Sequence, residues 1–491
     1  MKKLTKRQLT WYGIAGLGPN MLNLMVGAYL CDALMTQGFS INIEHWTYLN
    51  KTLIVVFVWS IFVTIAKIVD GVIDIPLGAF TDNLKSKWGK RRPSLLGGIV
   101  VMLLAYLMFL VVPFNTTESI GNTIWFFVWL CVFYSAYTLT MVTYYATFSE
   151  VTDNQADRVY LSNVKSTVDI IYFVLGYALI PAMIGLANIR ILALIVLVLM
   201  PSMIIPFVLI KERSTKLEDV KKYREEHPEE FVNETVEEKE PSMMESIKYT
   251  FKNKDFIVWM IIYSALQFGL QMFLTGFNVY YSGTVGFSGF KVMLCNIAAF
   301  GPVPFTLILY NYLNKKKGFK FSLQYTLIIF SVGMLCAVFC RPSVFPNETV
   351  RLVAIMGSNM ICSFAIGTFF SVSYTVPSQI AADEKAKTGV SHPAMYFAIQ
   401  GLFGAAVTAI STGLIWVNLK KVPASDSFFF AVPDPTNLDE AGNALGGGGA
   451  GLLTLIVAIS CLVSFGLSFL LPKSLVNVGR IENPEPVKVE E

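Results

Sequence analysis

The sequence predicts an all-α membrane protein with twelve transmembrane helices arranged as two six-helix halves. Three observations carry that expectation. The 491 residues are 54% hydrophobic and only 15% charged, with a mean hydropathy of +0.57, too little polar surface to coat a soluble globule of this size. The apolar residues gather into runs near the roughly 20 residues that cross a bilayer. One long polar segment near the middle divides those runs six and six.

Taken in order, the runs of the first half lie at 10–34, 52–80, 94–113, 123–148, 163–187 and 190–210. Those of the second lie at 255–282, 288–313, 320–340, 351–377, 392–417 and 449–472. The expected domains are therefore 1–210 and 255–472, joined by a linker at 211–254 and followed by a tail at 473–491. The linker is rich in Glu and Lys, including Glu225, Glu226, Glu229 and Glu230, and reads as a solvated segment with some amphipathic helix. Met1 to Gln8 is charged, and the first apolar run is followed by no small-residue cleavage pattern, so no cleavable signal peptide is expected.

Lys and Arg collect before the first run (Lys2, Lys3, Lys6, Arg7), between the second and third (Lys85 to Arg92) and between the eighth and ninth (Lys315 to Lys320). If twelve spans alternate, all three clusters fall on one side, which the positive-inside rule makes cytoplasmic together with both termini. A multi-pass cell-membrane protein is the expectation. The loops 35–50, 114–122 and 341–350, and the long Pro- and Gly-rich loop 418–448, face outward. Asn115-Thr116-Thr117 and Asn347-Glu348-Thr349 are sequons on such loops, a pattern that also arises by chance.

The net charge of +4 gives no reason to expect a nucleic-acid partner; solute, cation and lipid bilayer are the expected ones. Seven cysteines, mostly within apolar runs, read as small hydrophobes rather than ligands or disulfides. No metal cluster or phosphate-binding loop is evident. With only His45, His227 and His392 available and no nucleophile–base pattern, the sequence does not read as an enzyme, and no cofactor is called for.

One stretch breaks the apolar pattern. Lys67-Ile-Val-Asp70-Gly-Val-Ile-Asp74-Ile-Pro76 places an ammonium and two carboxylates inside the second run, where each such group costs about 2.5–3.5 kcal/mol at mid-membrane. Residues 67, 70 and 74 share one helical face, so the three charges can meet in the protein interior. Two carboxylates one turn apart suit a hard cation, sodium or proton. A purely structural ion pair of Lys67 with one carboxylate is the competing reading, and it leaves the other carboxylate over.

Lys67 to Asp74, then Gly78, Asp82 and Lys87-Trp88-Gly89-Lys90-Arg91-Arg92-Pro93, resembles the signature of the glycoside-pentoside-hexuronide:cation symporters, the branch of the major facilitator superfamily that includes melibiose permease. Gly13 to Asn20, Ser149 to Asp153 with Arg158 and Leu161, Gly276 to Tyr281, and Tyr396 to Gln400 are similar to further segments of that family. The resemblance implies the major facilitator fold and cation-coupled symport of a sugar or glycoside by alternating access. It implies that Asp70 and Asp74, supplemented by Thr138, hold the coupling Na+ or H+; the residues' own charges make Lys67 their electrostatic partner.

The family's galactoside carriers anchor sugar hydroxyls on two acids, matched here by Asn20 and Met141, and a third landmark, a lysine, is matched by Gly404. The pocket expected instead uses Asn20, Tyr144, Tyr145, Gln267, Gln271, Asn278 and Gln400, any one of which serves equally well as a helix–helix contact. Lys165 and Asp169, one turn apart, form either a local pair or a bridge toward the helix 2 carboxylates. Asp82, Arg91, Glu150 and Arg158 fall on the cytoplasmic loops and are gate candidates; Lys90 and Arg91 also satisfy the charge bias alone. Loss of the sugar-anchoring acids with the cation pair retained leaves a second cargo open, a lysolipid carried with sodium. A non-transporting membrane sensor is the third alternative.

Overall fold

In a computed structural model the protein is described over residues 4–37, 39, 43–82, 84–147, 151, 161, 164–165, 168–169, 171–226, 250–388, 393–432 and 447–476. Among them, eleven helices are long and apolar enough to cross a membrane. The helices are α1 (Lys6–Leu34), α2 (Val56–Asp82), α3 (Arg91–Phe109), α4 (Ile120–Ala146), the shorter apolar α5 (Ile171–Met183), α6 (Ile189–Leu209), α7 (Lys254–Val285), α8 (Phe290–Lys317), α9 (Phe319–Val338), α10 (Glu348–Thr388), α11 (Pro393–Thr408, continuing to Leu419) and α12 (Gly448–Leu470). Eleven of the apolar runs expected from the sequence overlap one of the eleven spans; of the fifth run, 163–187, the described helix is Ile171–Met183. The described residues contain no strand, only the isolated bridges Ile54–Ser119 and Ile184–Ala187.

The chain divides into two compact units. The first comprises Met1–Pro241, Leu274–Leu294 and Gly404–Gly451, the second Ser242–Phe273, Cys295–Phe403 and Leu452–Glu491.

Within the first unit the helices approach where side chains are small. Gly98 of α3 faces Thr140 of α4 so closely that a Cβ has no room. Gly18 of α1 lies against the backbone of α6, where a Cβ would come 2.7 Å from the Leu199 oxygen; there the Gly18 N–H donates to Ser202 Oγ (3.2 Å), which itself donates to the Ala15 carbonyl (2.9 Å). In a bilayer, where lipid is as apolar as Leu, such close packing and interhelical hydrogen bonds hold helices together. Helix ends are closed by side chains, as their orphan backbone groups require. Arg190 donates two hydrogen bonds to the Leu110 carbonyl after α3, and Asn122 donates to the Leu53 and Phe114 carbonyls.

The turn between α2 and α3 is fixed by the start of the polar segment, whose composition reads as solvated. Glu212 Oε2 accepts from the Arg91 N–H (2.7 Å) and the Arg92 N–H (3.4 Å), capping α3. Thr215 and Ser86 exchange two hydrogen bonds through N–H and Oγ1 (2.9 Å) and N–H and carbonyl (2.9 Å). Gly89 has φ +84° and sits directly on Glu212, so a side chain there is excluded twice over. Beyond this docked piece comes a short helix, Leu217–Glu226.

Among the described residues, four π-helical segments, Val26–Leu30, Leu175–Leu179, Tyr281–Val285 and Ala409–Trp416, lie in α1, α5, at the end of α7 and in α11. All lie in the first unit, and such turns are frequent at functional sites. Tyr29, in the first of them, donates to the Gly176 carbonyl in the second (2.7 Å).

The second unit is knit in the same manner. Asn359 donates to the Cys295 carbonyl (2.9 Å), Thr306 to the Ser363 carbonyl (3.0 Å) and Ser460 to the Ala265 carbonyl (2.5 Å). Gly333 faces Cys362 and Gly269 faces Cys461.

Candidate functional site

The charged face of α2 meets α4. Positions 67, 70 and 74 of α2 follow one another at helical spacing, and α4 answers with Tyr134, Tyr137 and Thr138, again three and four apart. Thr138 Oγ1 donates to Asp70 Oδ1 at 3.3 Å. Lys67 Nζ lies 3.8 Å from the Tyr134 ring centroid, a cation–π arrangement against a ring that is itself buried. Among the described residues Lys67 makes no ion pair at contact distance; its charge acts on Asp70 through space. Asp74 is exposed, one turn further along. Asp70, Asp74 and Thr138 thus offer four carboxylate oxygens and a hydroxyl without an ammonium inserted among them, a donor set for a small monovalent cation or a proton. No group of three or more His, Cys, Asp or Glu suited to a metal occurs among the described residues.

A second polar cluster begins on the same turn of α4. Tyr137 OH donates to Asn20 Oδ1 (2.9 Å), and Asn20 Nδ2 donates to Asp169 Oδ1 (3.3 Å). Asp169 also pairs with Lys165. Lys165 Nζ stands 5.2 Å from the ring centroid of Tyr145, an exposed aromatic. The side chains of the pair are 12% and 35% exposed. Because Tyr137 and Thr138 are consecutive, α4 joins the two clusters: Asp70 and Thr138 on one side, Asn20, Asp169 and Lys165 on the other. The sequence showed Lys165 and Asp169 as an i,i+4 pair, but nothing in it pointed to Tyr137 as the link.

The remaining expected residues separate. Tyr144 is buried, donates to the Tyr12 carbonyl (2.5 Å) and stacks on the Tyr12 ring, which ties α4 to α1. Asn278, buried in the first unit, interacts with Tyr29. Gln267, Gln271 and Gln400 belong to the second unit. Gln400 accepts from the Trp259 indole N–H (2.8 Å) and donates to the Ser373 carbonyl (2.7 Å), a helix–helix contact; Gln267 and Gln271 are partly exposed on α7. Met141 and Gly404 are both buried. Of the gate candidates only Arg91 is described at its side chain: it is buried and donates to Thr81 Oγ1 at 3.4 Å. Glu150, Arg158 and the side chain of Asp82 lie outside the described residues.

One charged contact was not legible in the sequence. Lys420, at the end of α11, is fully buried and pairs with Asp32, 4% exposed at the end of α1. The Trp416 indole N–H donates to the second oxygen of Asp32 (3.4 Å), and Lys420 stands 5.6 Å from the Trp416 ring centroid. The two residues are 388 positions apart, so no local pattern pairs them.

Comparison with known proteins accords with this architecture. A family model described as MFS/sugar transport protein matches residues 11–423. A curated relative, the "Uncharacterized symporter sll1374" of Synechocystis sp., is 29% identical over 105 residues, 21% of this chain and 19% of the relative's length. Among solved structures, the nucleoside transporter NupG aligns over 95% of this chain and 98% of its own with a TM-score of 0.54 at 13% identity. A POT family transporter in complex with a thioalcohol-conjugated peptide aligns over 94% and 96% with a TM-score of 0.58 at 11% identity. A bacterial homologue of the iron transporter ferroportin aligns over 95% and 99% with a TM-score of 0.51 at 12% identity. At these identities the likeness establishes the fold alone, which is that of the major facilitator transporters.

Proposed function

The chain belongs to the MFS/sugar transport protein family, a multi-pass membrane transporter, and on that footing we propose that it is a cation-coupled symporter of a small polyhydroxylated solute. The observation that carries the proposal is the continuity of the two clusters on α4: the Asp70–Thr138 contact at 3.3 Å and the Tyr137–Asn20–Asp169–Lys165 chain beside it. Asp70, Asp74 and Thr138 bind the coupling cation, sodium or proton. Asp169 accepts hydrogen bonds from sugar hydroxyls, Asn20 both gives and accepts, Lys165 donates, and the exposed ring of Tyr145 offers a stacking surface. The acid that the family's galactoside carriers place at position 141 is supplied from position 169.

Coupling follows from electrostatics. Charge on Asp70 and Asp74 is costly within a membrane-spanning helix, and a bound cation offsets part of it. The cation also frees Thr138 and the adjacent turn of α4 to settle around the solute, so that each ligand raises the other's affinity by the same factor. Alternating access then carries both across the cell membrane, with the termini cytoplasmic and Arg91 at the inner gate.

Thermal melting of the purified protein against a panel of sugars and glycosides, with and without sodium and at several pH values, tests the reading. Ligands of the folded state raise apparent stability by mass action. A sugar-dependent shift that requires a coupling cation is expected; shifts with lysolipids and none with any sugar would overturn the choice of solute.

A further inference from the structure

Beyond the transport site, α1 and the end of α6 form a concave apolar groove of about 400 Å³. Gly18, Ala15 and Ser202 pin the two helices together, and the groove lies on the turns beyond that pin, between Gln8 and Trp11 of α1 and Ile204, Val208 and Leu209 of α6. Pro201 also lines it and sits in a 3₁₀ stretch, Leu197–Met203, that replaces regular α-helix there. Trp11 is 52% exposed, Ile204 and Val208 57% each. Among the described residues nothing fills the groove, and its exposed apolar side chains suit contact with lipid.

Its end is basic. Lys6 and Arg7 directly precede Gln8, and Lys211 follows Leu209 by two residues; all three are exposed. Because α1 begins where α6 ends, these charges flank one end of the groove at the level of a membrane interface, where Trp is also favoured. Gln8 Oε1 is held by the Thr5 N–H in a capping box (3.0 Å), which leaves its Nε2 hydrogens as donors.

We infer that this groove is a binding site for an anionic phospholipid, with one acyl chain against Trp11, Ile204 and Val208 and the phosphate near Lys6, Arg7 and Lys211. An apolar slot alone would accept any lipid tail. Three cations at one end, each attracting an anionic headgroup, select a negatively charged one. The site is separate from the solute and cation residues, which lie on α2, on α4, in the stretch leading into α5 and, at Asn20, further along α1, and its occupant is resident rather than cargo.

The test uses the full-length protein in neutral detergent, stripped of lipid and titrated with phosphatidylglycerol or phosphatidylcholine of identical acyl chains, with bound lipid counted by native mass spectrometry. The expected result is retention of phosphatidylglycerol at least roughly tenfold over phosphatidylcholine, as three basic residues near one headgroup imply. The K6Q/R7Q/K211Q variant is expected to bind both lipids at the phosphatidylcholine level, and Trp11→Ala to weaken both. Equal retention of the two lipids by the unmodified protein, a preference that survives the triple change, or binding indifferent to Trp11→Ala would each overturn the assignment.

Discussion

Lys420 and Asp32 form an ion pair from which solvent is almost wholly excluded, with a tryptophan N–H on the remaining carboxylate oxygen. A buried pair of this kind adds little net stability compared with an apolar one, but removing one partner strands the other charge at a cost of about 3–5 kcal/mol. Asp32→Asn and Lys420→Met are each expected to lower the melting temperature sharply. The D32N/K420M double change should recover most of the loss. A double-mutant cycle on thermal unfolding measures it, and additive losses would show that the pair acts as two separate contacts.

Thr138 is expected to tune cation affinity rather than to be indispensable. Its hydroxyl donates to Asp70 in the present structure and can turn its oxygen to a bound cation. Thr138→Ala should raise the half-saturating cation concentration about tenfold, the equivalent of one hydrogen bond to a charged group. Thr138→Ser should stay near the original value. Uptake measured against cation concentration reads both.

Lys165 and Asp169 are assigned to the solute. Lys165→Met and Asp169→Asn are expected to weaken solute binding by about ten- to hundredfold, the loss of a charge-assisted hydrogen bond, while solute-free cation binding stays intact. Calorimetric titration with each ligand alone separates the two. If cation binding fell as steeply as solute binding, the division of labour between the clusters would be wrong.

Glu212 caps α3 and lies against Gly89. Glu212→Ala removes a charged N-cap, worth about 1 kcal/mol, and should expose the 84–92 turn. Faster tryptic cleavage within that turn, in protein whose global unfolding is only slightly altered, is the expected result.

The spans were legible in the sequence because helix length and hydropathy are local quantities. Asp70 and Asp74 were legible for a related reason, since charge inside an apolar run stands out without knowledge of any partner. Lys67 acts on Asp70 through space while its ammonium also faces the Tyr134 ring; that second contact depends on how α2 packs on α4, which helical spacing within α2 does not show. Tyr137, Asn20 and Asp169 come from α4, α1 and the stretch leading into α5, and their meeting depends on how three helices pack. The Asp32–Lys420 pair is the extreme case. Lys420 lies in the stretch 418–448 that reads as an outer loop, and only the folded chain brings it to α1. The docking of residues 211–216 on the 84–92 turn was hidden for the same reason, inside a segment whose composition reads as solvated.

In the proposed mechanism Asp70 couples cation to solute. Uptake of a stabilising sugar into proteoliposomes, driven by a sodium or proton gradient, tests it most directly. The unmodified protein should accumulate the sugar against its gradient only when the cation gradient is imposed, whereas Asp70→Asn should equilibrate or exchange sugar without accumulating it. Full uphill accumulation by the Asp70→Asn variant would rule out coupling through Asp70.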